Sequence, residues 1–140
     1  MAVAWSPAEL ERIGTAEELH IITSRADGTL RPAVPIWVVC VGGQVYVRTW
    51  CRRDDGWFGH VVDSRRARIR VPGLEADVAI EDVGGGKAEL RARVDAAYRA
   101  KYGRYGEPSV DRMVTDDAAA STLRVSPENG TARAPGRVTR

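Results

Sequence analysis

Pro32-Ala33-Val34-Pro35-Ile36-Trp37-Val38-Val39-Cys40-Val41-Gly42-Gly43-Gln44-Val45-Tyr46-Val47-Arg48-Thr49-Trp50 is the stretch that decides the fold. β-Branched and aromatic residues fill both sides of Gly42-Gly43, a dipeptide suited to a two-residue hairpin turn because both positions need positive φ. A tight turn fixes register, and register fixes which side chains share a face. Cys40 then opposes Val45, Val38 opposes Val47 and Ile36 opposes Thr49, an apolar face suited to a core. The other face sets Val39 opposite Tyr46 and Trp37 opposite Arg48, within reach of a cation–π contact.

Working upstream, Asp27-Gly28 predicts a second two-residue turn. It pairs Ile21 with Val34 and Leu19 with Ile36 on the core face. On the other face it pairs His20 with Pro35, Ile22 with Ala33 and Ser24 with Arg31. One surface would then carry His20, Ser24, Arg31, Trp37, Tyr46, Arg48 and Trp50. Aromatic planes mixed with arginines suit a flat anionic ligand or a subunit interface; equally, helices can cover such a face. Further upstream, Ser6-Pro7-Ala8-Glu9 reads as a capping box opening a short helix.

Downstream, Trp57, Phe58, Val61 and Val62 fall at helical spacing, with Asp54 or Asp55 as the expected N-cap. Arg66–Val71 and Leu74–Val83 alternate around Pro72-Gly73, a type II turn signature. That turn sets Arg70 against Glu75 and Arg68 against Asp77, so the arginine stripe is neutralised across the hairpin. Leu90, Val94, Ala97 and Tyr98 form one helical face. Glu89 with Arg93, and Asp95 with Arg99, are spaced to pair on its wet side. Tyr102 and Tyr105 read as a lid over the barrel or as a ligand mouth. Five or six short strands with tight turns and a few helices predict an α+β chain, a small antiparallel barrel with peripheral helices. Residues 1–127 form one domain, and the apolar-poor stretch 128–140 is expected to be a disordered tail.

The chain has 140 residues and a net charge of +2. The excess comes from the last stretch, where Arg133, Arg137 and Arg140 face only Glu128. The domain itself is neutral, which argues against nucleic-acid binding. No apolar run reaches the roughly 20 residues of a membrane helix, and no signal-peptide core opens the sequence, so the expected location is the cytoplasm. Cys40 and Cys51 fall near opposite ends of their hairpin, too far apart for a disulfide. His20 and His60 show no metal-ligand spacing with them, so no metal is expected. Trp50-Cys51-Arg52-Arg53-Asp54-Asp55 joins a strand to a helix, where arginines and free N–H groups favour an anion.

Leu19-His20-Ile21, Arg25-Ala26-Asp27-Gly28, Val34 to Val39, Val45 to Thr49, Arg53, Trp57-Phe58, Asp95 to Gly103 and Thr122-Leu123-Arg124 together resemble a bacterial family known as a domain of unknown function. That family is in turn similar to the split-barrel flavin proteins, which include pyridoxamine-phosphate oxidases and deazaflavin-dependent nitroreductases. The resemblance implies a split β-barrel and a homodimer with a cofactor, FMN or the deazaflavin coenzyme, near the interface. It also implies an oxidoreductase acting on a small organic metabolite. By position it implicates Arg25, Arg31, Arg48, Thr49, Arg52 and Arg53 in holding the cofactor phosphate. Trp37 or Trp50 would stack on the ring, and His20 or Tyr46 would give a proton to the substrate. The loop at 50–55 is bulky and of mixed charge, where the nitroreductases carry small residues and lysine. A cofactor-free binding protein, or a cofactor-independent enzyme on the same barrel, is the alternative reading.

Overall fold

The structure is a computed structural model that describes residues 4–49, 56–84 and 86–128 together with the backbone of 134–135. In chain order it comprises α1 (Pro7–Thr15), β1 (Leu19–Ile22), β2 (Val34–Ile36), β3 (Val38–Val41), β4 (Gln44–Val47), α2 (Trp57–Ser64), β5 (Arg66–Val71) and β6 (Leu74–Asp82). Next come α3 (Ala88–Tyr102), a 3-10 turn (Gly103–Tyr105), α4 (Glu107–Asp111), α5 (Asp116–Ala120), β7 (Leu123–Pro127) and β8 (Ala134–Pro135). Ser6 caps α1 with the expected box, its hydroxyl accepting from the Glu9 amide and the Glu9 carboxylate accepting from the Ser6 amide. On α2 the N-cap is Gly56 rather than an aspartate, and no side chain caps it. Asp54 and Asp55 lie outside the described residues.

The hydrogen-bonded order is β2-β1-β5-β6-β7-β4-β3, with every pairing antiparallel. β2 and β3 stand at the two ends of that order, yet only Trp37 separates them in the chain. The sheet must therefore roll round until its ends meet, which makes a nearly closed, split barrel. The run read as one strand from Pro32 to Val41 is in fact two, and the break falls at Trp37. Pro35 lacks an N–H and is tolerated because β2 pairs on one side only.

At the break, α3 replaces the missing strand. The Tyr102 hydroxyl accepts from the Val38 amide at 3.0 Å and donates to the Glu17 carbonyl at 2.9 Å. Lys101 Nζ donates to the Val38 carbonyl at 2.8 Å. Side chains thus satisfy a buried peptide unit where the sheet changes partners.

The expected pairings Cys40↔Val45, Val38↔Val47, Val39↔Tyr46, Ile21↔Val34 and Leu19↔Ile36 are present. So are Arg70↔Glu75 and Arg68↔Asp77, the latter with Nε 2.9 Å from the carboxylate. The first hairpin differs at its tip. Ser24 bridges Leu30, not Arg31, and the Arg25 amide donates to the Thr29 carbonyl. Three residues, Ala26 to Gly28, make the turn, with Gly28 at φ 91°. A three-residue loop that ends in a left-handed glycine shifts pairing by one, and the extra residue is absorbed around Pro32-Ala33.

Two apolar layers result. Inside the barrel, Leu19, Ile21, Val38, Val45, Val47, Ile69, Val78, Leu123 and Val125 pack with Trp5, Ile13 and Phe58. Outside the sheet, α3 and α4 lay Val94, Tyr98, Tyr102 and Val110, with Met113, over Val39 and Tyr46. Helices therefore cover the Val39–Tyr46 half of the mixed face. Asp95 turns inward instead of pairing with Arg99, which binds Asp111. Within the stretch read as tail, β8 pairs with Leu74 and Glu75 of β6.

Tyr102→Phe keeps the ring but leaves the Val38 amide without its acceptor. The expected loss is about 1–3 kcal/mol, read by urea denaturation. A loss below the error of that measurement would show that the seam does not need the hydroxyl.

Candidate functional site

A cleft of about 330 Å³ opens where the barrel splits. That volume lies at the lower end of the 300–1,000 Å³ or so typical of ligand pockets. Pro35 to Trp37 form one wall, Arg48 and Thr49 the continuation of β4, and Trp57 the start of α2. Ser109, Arg112 and Met113 come from α4 and the turn after it, and Glu18 stands at the mouth.

Trp37 is the principal aromatic surface. One of its faces lies on Tyr102, with ring centroids 4.1 Å apart and planes 3° from parallel. Tyr105 is 5.7 Å from Trp37 and 6.3 Å from Tyr102. Rings on opposite faces of Trp37 would be separated by nearly the sum of their two distances from it. Tyr105 is much nearer to Tyr102 than that, so it does not lie on the opposite face of Trp37. Trp37 thus keeps a face uncovered by Tyr102 and Tyr105 while lining the cleft.

Arg48 follows the same alternation as Tyr46 and enters the layer beneath α3. Its guanidinium is fully buried. Nε donates to Thr122 Oγ1 at 2.8 Å, and one terminal nitrogen donates to Asp95 Oδ1 at 2.5 Å and to the Met113 carbonyl at 2.8 Å. The other terminal nitrogen has no hydrogen-bond partner among the described residues, and the Tyr98 ring lies 5.6 Å from the guanidinium. Trp37 and Arg48 therefore do not form the cation–π pair that their register suggests; each stacks on a tyrosine of α3 instead. Asp95 also meets Arg91 at 3.5 Å, and Arg91 reaches Asp116 at 2.8 Å. This ion network ties β4, α3 and α5 together behind the cleft.

The cleft brings together Trp37, Arg48 and Thr49 of the residues expected from sequence. Arg25 and Arg31 stay on the hairpin tip. Arg25 donates to Thr29 and the Leu30 carbonyl, and Arg31 to Thr23 and the Ser24 carbonyl. His20 stands between Pro35 and Arg70 in the ladders of β1, and Tyr46 is buried under α3. Neither lines the cleft. Trp50, Arg52 and Arg53, like Cys51, lie outside the described residues. Sequence reasoning missed Ser109, Arg112 and Met113, because residues 106–113 show no periodicity, and it missed Asp95 because the helical pattern put it on the wet side. Cys40 is half-buried, and its thiol is pushed up by that burial. Among the described residues no three His, Cys, Asp or Glu side chains converge as a metal site would require. Nor is any helix long and apolar enough to cross a membrane.

Burial pushes the Tyr102 phenol up to about 12 and the fully buried Tyr98 phenol up as well. Burial also holds the Lys101 amine below its ordinary 10.5.

Residues 9–125 match the family described as "Uncharacterized protein conserved in bacteria (DUF2255)". No curated protein matches the chain. Among solved structures, the heme storage protein HutZ from Vibrio cholerae is 16% identical with a TM-score of 0.61, covering 96% of each chain. A FAD-binding protein from Mesorhizobium loti is 14% identical with a TM-score of 0.57, covering 95% of this chain and 97% of its own. An F420 reductase is 16% identical with a TM-score of 0.52, covering 89% of this chain and 94% of its own. At such identities the likeness establishes the split-barrel fold.

Two outcomes are expected. Arg48→Ala strands the Asp95 carboxylate and leaves Thr122 and the Met113 carbonyl without a donor. The cost should be about 3 kcal/mol in urea denaturation, the low end for a broken buried pair because Asp95 keeps Arg91; a cost under about 1 kcal/mol would contradict the strut. The second is alkaline lability. A phenol raised in the folded state contributes stability that is complete below its unfolded value near 10 and is lost as pH rises toward the folded value. Lys101 acts in the opposite sense but only below 10.5. From about pH 10.5 to 12 stability should fall, with Tyr102 ionising late in an ultraviolet tyrosinate titration. Tyrosinate formation complete by about pH 10.5 in the folded chain would refute it.

Proposed function

The chain belongs to the DUF2255 family of bacterial proteins, and we propose that it is a flavin- or deazaflavin-dependent oxidoreductase of a small organic metabolite. The observation that carries this reading is the face of Trp37 left open at the cleft. A flat ring can stack there, with Thr49, Ser109 and Arg112 as the few polar groups that orient it. The described residues fit the ring portion of an FMN- or deazaflavin-type group. In this reading Arg52 and Arg53, which follow Thr49 in the chain, would hold the phosphate end. The neighbours named FAD-binding protein and F420 reductase support a ring cofactor on this fold.

The cofactor supplies hydride transfer when bound; the chain supplies the rest. Trp37 sets the ring plane. Arg48 braces the wall through Asp95, Thr122 and Met113 and does not face the ligand as a free cation. Pro35 and Met113 exclude water from the ring. Hydride chemistry does not require a strong acid or base from the chain, so the positions of His20 and Tyr46 away from the cleft are compatible with it. Arg25 and Arg31 belong to this reading only as groups that a second copy of the chain would meet across a homodimer. A cofactor-free small-molecule barrel is favoured by one observation, the commitment of Arg48 to Asp95.

An absorbance and fluorescence titration with FMN and with the deazaflavin coenzyme tests the proposal. The expected result is saturable binding of one of them at micromolar concentration, weakened at least tenfold by Trp37→Leu. Binding of neither would overturn the cofactor reading and leave the cofactor-free barrel.

A further inference from the structure

Trp37 is both an aromatic wall of the cleft and one corner of a cluster of three neighbouring rings. Tyr102 covers one of its faces in near-perfect parallel, and Tyr105 lies 5.7 Å from Trp37 and 6.3 Å from Tyr102 with its plane tilted 26° and 27° from theirs. Tyr102 is wholly buried, whereas Tyr105 is 47% exposed. The cluster therefore joins a ring on a ligand-sized cleft to a ring that water reaches. Indole and phenol are also the side chains that surrender an electron most readily.

We propose that Trp37, Tyr102 and Tyr105 form a one-electron path between the cleft and solvent. The proposal goes beyond the hydride reading, because the path is a property of the rings whatever ligand occupies the cleft. A radical one-electron oxidant at the cleft takes one electron from Trp37 and is reduced by one. The indole radical cation loses its N–H proton to water. An electron from Tyr105 then refills Trp37, which regains a proton, and Tyr105 releases its phenolic proton to bulk solvent. The net change is a reduced oxidant, a neutral phenoxyl radical at Tyr105 and one proton.

The surroundings of the two phenols set the direction. Among the described residues the Tyr102 hydroxyl bonds to the backbone at Val38 and Glu17, with their carbonyls at 3.2 and 2.9 Å. Carbonyls are too weakly basic to take its proton, so the hole does not rest on Tyr102, and Tyr105 neighbours Trp37 directly at 5.7 Å. Tyr105 can release its proton to water. The Arg104 guanidinium, 5.2 Å from the Tyr105 ring, disfavours a cation at that ring but not a neutral radical.

Pulse radiolysis with azide radicals, which oxidise indole, tests the path in the purified full-length chain. The expected signal is decay of indole-radical absorbance matched by growth of phenoxyl-radical absorbance, at a rate independent of protein concentration. Tyr105→Phe, a change at an exposed ring, should abolish most of that growth and raise oxidation of Trp37 several-fold in peptide mass mapping. Trp37→Phe should remove the same phase, which separates entry at Trp37 from entry at Trp5, Trp50 or Trp57. Transfer at the wild-type rate in either variant, or a rate that scales with protein concentration, would overturn the path. The azide radical acts without any ligand in the cleft, so failure here leaves the cofactor titration unaffected, and failure of that titration leaves this result standing.

Discussion

The Tyr102 hydroxyl sits where the strand leaves β1 as its neighbour and takes up β4. A peptide unit at such a handover loses its sheet partner, and burial makes that loss costly. Tyr102 meets the Val38 amide and the Glu17 carbonyl at once, and Lys101 takes the Val38 carbonyl. The last turn of α3 is thereby anchored to the seam of the barrel. That anchor holds the helix over Val39 and Tyr46, so the second apolar layer forms. It also brings the Tyr102 ring flat against Trp37. Closure of the barrel, cover of its outer face and placement of the aromatic wall of the cleft all depend on this contact.

Arg48 is the second fastening. A fully buried guanidinium is tolerated because a carboxylate, a hydroxyl and a carbonyl surround it. Its partners come from α3, from the turn after α4 and from the residue before β7. The cleft wall is rigid for that reason. The same geometry removes Arg48 from the set of cations a ligand could engage.

The hairpin registers were legible because paired glycines and Pro-Gly leave few turn geometries open. The neutral arginine stripe followed from them, and Arg68 meets Asp77 as the turn at Pro72-Gly73 requires. The tip at Asp27-Gly28 was misread by one residue, since a glycine in positive φ serves two-residue and three-residue loops alike. The break at Trp37 was hidden, because Val, Ile and Trp read as strand on both sides and the change of neighbour is a long-range event. Asp95 shows the same limit: spacing on a helix says which residues are close along it, not which face another strand will approach. Part of the cleft was legible through Trp37, Arg48 and Thr49. The part from residues 109–113 was not, as it comes from a short helix and the turn after it, positioned by tertiary contact rather than by pattern.

The central claim is that barrel closure presents one face of Trp37 as the surface on which a planar ring stacks. Heteronuclear NMR of labelled protein, titrated with FMN and with the deazaflavin coenzyme, addresses it directly. The expected result is a ring-current shift of the Trp37 indole N–H resonance together with shifts at Ile36, Thr49 and Met113, saturating with one of the two ligands. Shifts confined to the hairpin around Arg25 and Arg31, or none with either ligand, would contradict it.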